Sequence, residues 1–225
     1  MKLCMFHPND NPMERGWVGR VDGERVLHLA AQTLQAFFLG GGGAREHAEY
    51  RLADVTLLAP VLQPPNVRVF DTGELFCFGN ATAVIGPGAV VASSASSLSV
   101  SPRVAAVIGA EERIGGYTLF ADWRRAGLHA PKDRDFALGL GPVVVTPDEL
   151  DPAAVELRVS VEGEERIRVI VPAFDWEAAR ALAAAGTALR PGDVVAGPAA
   201  ARLDEVVGAV ELDGSGIGVL RQVAA

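Results

Sequence analysis

Short apolar runs punctuated by glycine and proline, not helical periodicity, fill this chain from residue 66 onward, and one of them constrains the fold most. Val104-Ala105-Ala106-Val107-Ile108 is apolar without a break, bounded by Pro102 and Gly109. A strand with one wet face alternates polar and apolar side chains, so an unbroken run belongs to a strand covered on both faces. Leu157-Arg158-Val159-Ser160-Val161 does alternate. Glu162-Gly163-Glu164 turns it back into Arg166-Ile167-Arg168-Val169-Ile170-Val171, a hairpin with one wet face. The best helix candidate covers 174–185, with Asp175 as cap, an alanine-rich body and Gly186 as terminator. Regular alternation of strand and helix is missing, as is any fixed-period repeat, which argues against a doubly wound or barrel fold. The reading is α+β, mainly β, with few helices.

Residues 1–65 read as a small β-rich N-terminal domain and 66–225 as the main one. Trp17-Val18-Gly19-Arg20-Val21 and Arg25-Val26-Leu27-His28-Leu29 are strand-like and joined through Asp22-Gly23, a dipeptide suited to a tight hairpin. A short helix over 30–38 ends at Gly40-Gly41-Gly42-Gly43. That glycine run lacks the Gly-Lys-Ser/Thr ending of a phosphate loop, so nucleotide binding is not expected. Leu57-Leu58-Ala59-Pro60-Val61-Leu62-Gln63-Pro64-Pro65 reads as an extended crossing between the two parts.

With 225 residues and 49% apolar composition the chain can bury a sizeable core. Its net charge of -8, with Arg124-Arg125 as the only adjacent basic pair, argues against nucleic acid or an anionic membrane as partner. Cys4 and Cys77 sit in apolar surroundings without metal-ligand spacing and are expected as buried free thiols, consistent with a cytoplasmic location. Neither a leader pattern nor an 18-residue apolar stretch is present. The serines within 93–99 show no nucleophile elbow and read as a polar loop over a pocket mouth.

Several segments, in order, resemble the fumarylacetoacetate hydrolase family. They are Val84-Ile85-Gly86-Pro87-Gly88, Val104-Ala105-Ala106-Val107-Ile108-Gly109, Gly116-Tyr117-Thr118-Leu119-Phe120-Ala121-Asp122-Trp123, Leu140-Gly141-Pro142, Leu189-Arg190-Pro191-Gly192-Asp193-Val194 and Gly216-Ile217-Gly218-Val219-Leu220. The resemblance runs from about residue 60 to 222. It implies a mixed β-sandwich roll, usually dimeric, and cleavage or rearrangement of 1,3-dicarbonyl acids at a Mg²⁺ or Ca²⁺ site. A hard dication of that kind needs several carboxylate oxygens with positions left open for a keto acid, whose enolate it stabilises.

Most positions where the resemblance implies that chemistry carry something else. A Glu-x-Glu pair of ligands falls on Ser101 and Arg103, and a first Asp ligand falls on Val69, with Asp71 two residues on. Asp122 remains at the last ligand position. The substrate-binding Arg becomes Ala126, a Gln becomes His129, and the Lys of a Lys-x-Phe motif becomes Arg134, with Lys132 nearby. Only Asp71-Thr72-Gly73-Glu74 separates Phe70 from the next strand, so the lid that carries the family's catalytic His is missing. A guanidinium at 103 would repel a dication and could neutralise Asp122 as an internal cation, and Arg134 is the other arginine positioned to do so.

These substitutions imply a degenerate, non-hydrolytic member. It would bind a small carboxylic acid through Arg103, Arg134 and Lys132, or act as a structural partner in a homodimer or a heterodimer with an active homologue. The alternative is an enzyme of changed, metal-independent chemistry on a keto acid, a decarboxylase, isomerase or cyclase, with Asp122 and His129 moving protons. A conventional metal-dependent hydrolase ranks last. No cofactor is expected, and Mg²⁺ or Ca²⁺ would require relocated ligands. His7, His28 and His47 have no ligand partners at suitable spacing and read as structural or surface residues.

Overall fold

The computed structural model describes residues 1–93 and 96–225, so positions 94 and 95 of the polar loop expected over 93–99 lie outside the described residues. In chain order the strands are β1 (Lys2–Pro8), β2 (Trp17–Asp22), β3 (Arg25–Leu29), β4 (Glu46–Arg51), β5 (Val55–Leu58), β6 (Val67–Phe70), β7 (Phe76–Gly79), β8 (Val84–Ile85), β9 (Val90–Val91), β10 (Leu98–Ile108), β11 (Ile114–Arg125), β12 (Leu138–Val145), β13 (Glu156–Val161), β14 (Glu164–Ile170), β15 (Val194–Ala196), β16 (Gly208–Gly214) and β17 (Gly218–Ala224). Two α-helices accompany them among the described residues, α1 (Leu34–Leu39) and α2 (Trp176–Ala184).

A large mixed sheet runs β4-β3-β2-β1-β12-β11-β10-β15-β6-β7, with β5 added beside β1 and β8 beside β12. A second sheet runs β14-β13-β16-β17-β9. The unbroken apolar run of β10 is covered on both faces, as its sequence required. Val104, Ala106 and Ile108 join a core shared with Leu157, Leu212 and Leu220 of the smaller sheet and Trp176 of α2. Ala105 and Val107 join a second core with Leu138, Leu140 and, from α1, Leu34, Phe37 and Phe38. The sheets approach closely where a Cβ on Gly214 would stand 2.5 Å from the Leu119 side chain, so any larger residue there would have to displace Leu119.

Local chemistry explains the elements. The Asp175 carboxylate accepts a hydrogen bond from the Ala178 N–H at 2.9 Å and starts α2. Thr33 caps α1 in the same way, so the first helix begins at Leu34, four residues after the start read from the sequence. Asp22 pairs with Arg25 across the expected hairpin, with Gly23 at φ +58°. The strands of the first 65 residues lie in the large sheet, where Lys2 and Leu3 of β1 face Val145 and Val144 of β12. Cys4 is buried, which pushes its thiol up to about 12, but Cys77 is only half-buried, so just one thiol is enclosed as expected. None of the described helices is long and apolar enough to cross a membrane.

Candidate functional site

The β10–β11 hairpin fixes the site by register. Ser99 faces Arg124, Ser101 faces Asp122 and Arg103 faces Phe120. Directly opposed residues of an antiparallel pair share a face, so Ser99, Ser101, Arg103, Asp122 and Arg124 line one side of the hairpin. Farther along, the same side becomes the apolar face of Ala105 and Val107. A polar patch thus ends one of the two cores.

Arg103 and Asp122 dominate the patch, with side-chain exposures of 1% and 0%. Arg103 Nη2 donates to Asp122 Oδ2 at 2.9 Å and to Asp71 Oδ1 at 3.0 Å. Its Nη1 donates to the carbonyls of Phe70 and Gly197, each at 2.9 Å. Four hydrogen bonds from one guanidinium tie the end of β6, the residue after β15 and β11 together. Arg103, rather than Arg134, is the cation on Asp122.

A second arginine shares that carboxylate. Arg124 Nη2 lies 3.4 Å from Asp122 Oδ2, while its Nη1 lies 3.3 Å from Asp133 Oδ2. Burial, then the negative charge of Asp122, raises the Asp133 carboxyl above its ordinary value. Arg134 is buried too and donates from Nη1 to Cys77 Sγ at 2.8 Å, with Nη2 at 3.9 Å from Asp71 Oδ2. Three arginines (103, 124, 134) and three aspartates (71, 122, 133) therefore interlock. Asp122 Oδ1, Asp133 Oδ1 and the Nε atoms of all three arginines have no hydrogen-bond partner among the described residues.

The remaining candidate residues stand apart. Lys132 is 73% exposed and paired with Asp135 at 2.9 Å on the surface. His129 is exposed and contributes its backbone carbonyl, which accepts from the Asp133 N–H at 3.2 Å. Val69 is fully buried in the apolar core, and Ala126 is exposed. His28 stacks on Trp17 at 4.7 Å and lies 5.5 Å from His47, among the N-terminal strands; burial, then His47, lowers its pKa. A cavity of about 610 Å³ lined by Met5, Arg15, Thr33, Gln35, Pro60 and Gln63 also belongs to that region, not to the arginine–aspartate patch.

Sequence reasoning did not single out Arg124, Asp133 or Cys77 for the site. Arg124 was within reach of it, because two residues after Asp122 on a strand means the same face. Asp133 was not, because it sits in the short 3₁₀ turn Lys132–Arg134, where period two does not apply.

The patch does not suit a hard dication. Such an ion needs several carboxylate oxygens converging without cations between them. Here the engaged oxygen of Asp122 already takes two guanidiniums, and no group of three His, Cys, Asp or Glu among the described residues is arranged to hold a metal.

The sequence matches the family described as fumarylacetoacetate (FAA) hydrolase C-terminal over residues 43–222. No curated protein matches it. Solved structures do. Maleylpyruvate hydrolase from Sphingobium sp. SYK-6, in complex with manganese(II) and pyruvate, is 20% identical with a TM-score of 0.78, covering 100% of this chain and 99% of that one. 5-Carboxymethyl-2-hydroxymuconate delta-isomerase from Mycobacterium smegmatis is 24% identical at a TM-score of 0.80, with the same coverage. Fumarylacetoacetate hydrolase from psychrophilic Exiguobacterium antarcticum is 21% identical at 0.80, again covering 100% and 99%.

Proposed function

This chain belongs to the fumarylacetoacetate hydrolase family, and on that premise we propose that it is a degenerate, non-hydrolytic member in which an arginine takes the place of the metal ion. What remains serves to bind a small carboxylic acid, or to support a homodimer or a pairing with an active homologue. The contact that carries this reading is Arg103 Nη2 to Asp122 Oδ2 at 2.9 Å, with both side chains buried. Arginine stays protonated at any physiological pH, so the site holds a permanent positive charge. At an effective dielectric of about 20, a dication about 5 Å from that charge is opposed by about 7 kcal/mol. That repulsion cancels the attraction one carboxylate at the same distance would supply, so Asp122 as paired with Arg103 offers the ion no net charge.

Relatives of the fold include hydrolases and isomerases, and one is solved with manganese. Proton transfer by Asp122 and His129 gains no support from the geometry, because the carboxylate is held by two arginines and the imidazole is exposed.

Calorimetric titration of the chelator-treated protein with Mg²⁺ and Mn²⁺ tests the proposal. We expect no saturable binding near one equivalent and no consumption of acylpyruvates by mass spectrometry. Stoichiometric binding lost in Asp122→Ala would overturn the reading. Metal-independent turnover that disappears in His129→Ala would replace it with the altered-enzyme alternative.

A further inference from the structure

Asp71 stands between two buried guanidiniums. Its Oδ1 accepts from Arg103 Nη2 at 3.0 Å, and its Oδ2 lies 3.9 Å from Arg134 Nη2. The arginines are 1% and 4% exposed, but the aspartate that bridges them is 59% exposed. It comes from the turn 71–74 joining β6 to β7, every residue of which faces solvent.

The two arginines are not equally served. Arg103 makes four hydrogen bonds, whereas Arg134 makes one among the described residues, to the thiol of Cys77, and its Nε has none. A thiol is a weak acceptor. The Nε–Nη2 edge of a guanidinium is the fork that takes a carboxylate through two parallel bonds, and at 3.9 Å Asp71 is too distant to make either. A buried arginine with that edge unused, beside an exposed carboxylate that stops short of it, has donor capacity to spare for a second carboxylate.

We propose that Asp71 is a built-in competitor: it closes an anion seat between Arg103 and Arg134, and a small carboxylic acid binds by expelling it and engaging the free edge of Arg134. The exchange is one carboxylate for another, so the three-against-three charge balance of the patch survives, whereas a doubly charged phosphate would upset it. Movement is confined to a solvent-facing turn and breaks no strand pairing. This inference rests on the reading of the pocket as a binder of small carboxylic acids and adds the residue that regulates access to it.

Titration of chelator-treated protein, after the chelator is removed, with sodium acetate at constant ionic strength set with sodium chloride provides the test by calorimetry and thermal shift. Removing a competitor that occupies the seat nine-tenths of the time tightens apparent affinity about tenfold. We therefore expect Asp71→Ala to bind acetate one to one and about tenfold or more tighter than the parent protein. Asp71→Asn, which keeps the shape and loses the charge, should follow it and serves if the alanine variant folds poorly. Arg134→Gln in the same background should abolish the gain. Equal affinity with and without Asp71, an equal response to chloride alone, or no saturation in either variant overturns the proposal. Because metal is absent throughout, such a failure leaves the metal-free reading standing. A metal site found in the Mg²⁺ titration would instead appear with this anion response unchanged.

Discussion

Among the described residues two arginine–aspartate pairs lie fully inside the protein, and they are built differently. In one, Arg68 Nη1 meets Asp193 Oδ2 at 3.3 Å. Asp193 Oδ1 also accepts from Asn66 Nδ2 at 3.3 Å, and Oδ2 from the Arg190 backbone N–H at 3.1 Å. Both oxygens of that carboxylate are used, and it clamps the turn before β15 to β6, its parallel neighbour. In the other, Asp122 gives one oxygen to Arg103 and Arg124 and leaves the second without a donor among the described residues. A carboxylate placed for architecture is saturated on both oxygens. Asp122 keeps unused valence, as the proposal of a replaced metal ion requires of it.

The strongest way to break this contrast is to remove one partner of each pair. Arg103→Ala should cost about 3–5 kcal/mol in urea unfolding, since it strands a buried carboxylate. Asp193→Ala should cost at least as much, because three donors lose their acceptor. The apolar double substitutions should then diverge. Arg103→Met with Asp122→Leu should recover the larger share, because the groups that lose a donor are the Phe70 and Gly197 carbonyls, and backbone oxygens tolerate under-satisfaction better than buried N–H groups. Arg68→Met with Asp193→Leu should not, because Asn66 and the Arg190 N–H remain unsatisfied. Equal recovery in both would erase the distinction.

A smaller effect sharpens it through pH. The folded state holds the Asp133 carboxyl above its ordinary 3.8, so it binds a proton that the unfolded chain has released. Stability contributed in this way is present at low pH and is lost as pH rises from about 3.8 through the elevated value. Asp133→Asn imitates the protonated form and should flatten that limb of the stability–pH curve. An unchanged slope would remove Asp133 from the coupled cluster. The smallest effect is expected at the rim. Lys132→Ala breaks only the exposed contact with Asp135 and should cost at most about 0.5 kcal/mol.

Much of this architecture could be read in advance because it depends on neighbours in sequence. The double-sided burial of β10, the Asp22-Gly23 hairpin and the Asp175 cap each follow from a few consecutive residues. Arg103 as the internal cation was legible too, because Ser101, Arg103 and Asp122 lie on strands whose alternation sets their faces. Arg68 with Asp193 was not, since 125 residues separate them and no local pattern signals a parallel pairing. Asp71 was noted only as a stand-in carboxylate. Its contact with two arginines comes from a turn, whose direction periodicity does not give.

The pairing of Lys2 with Val145 has a consequence in time. A ribosome adds about 5–20 residues per second, so β1 emerges many seconds before β12 exists to receive it. Meanwhile β2 covers one edge of β1 and β5 covers Met5 to Pro8 on the other, so at Lys2 and Leu3 that second edge stays open until β12 arrives. Assembly of the large sheet is therefore a closing event and not a progressive one. Any substitution that slows release of residues 138–145 prolongs the interval in which an apolar strand edge is open to other nascent chains.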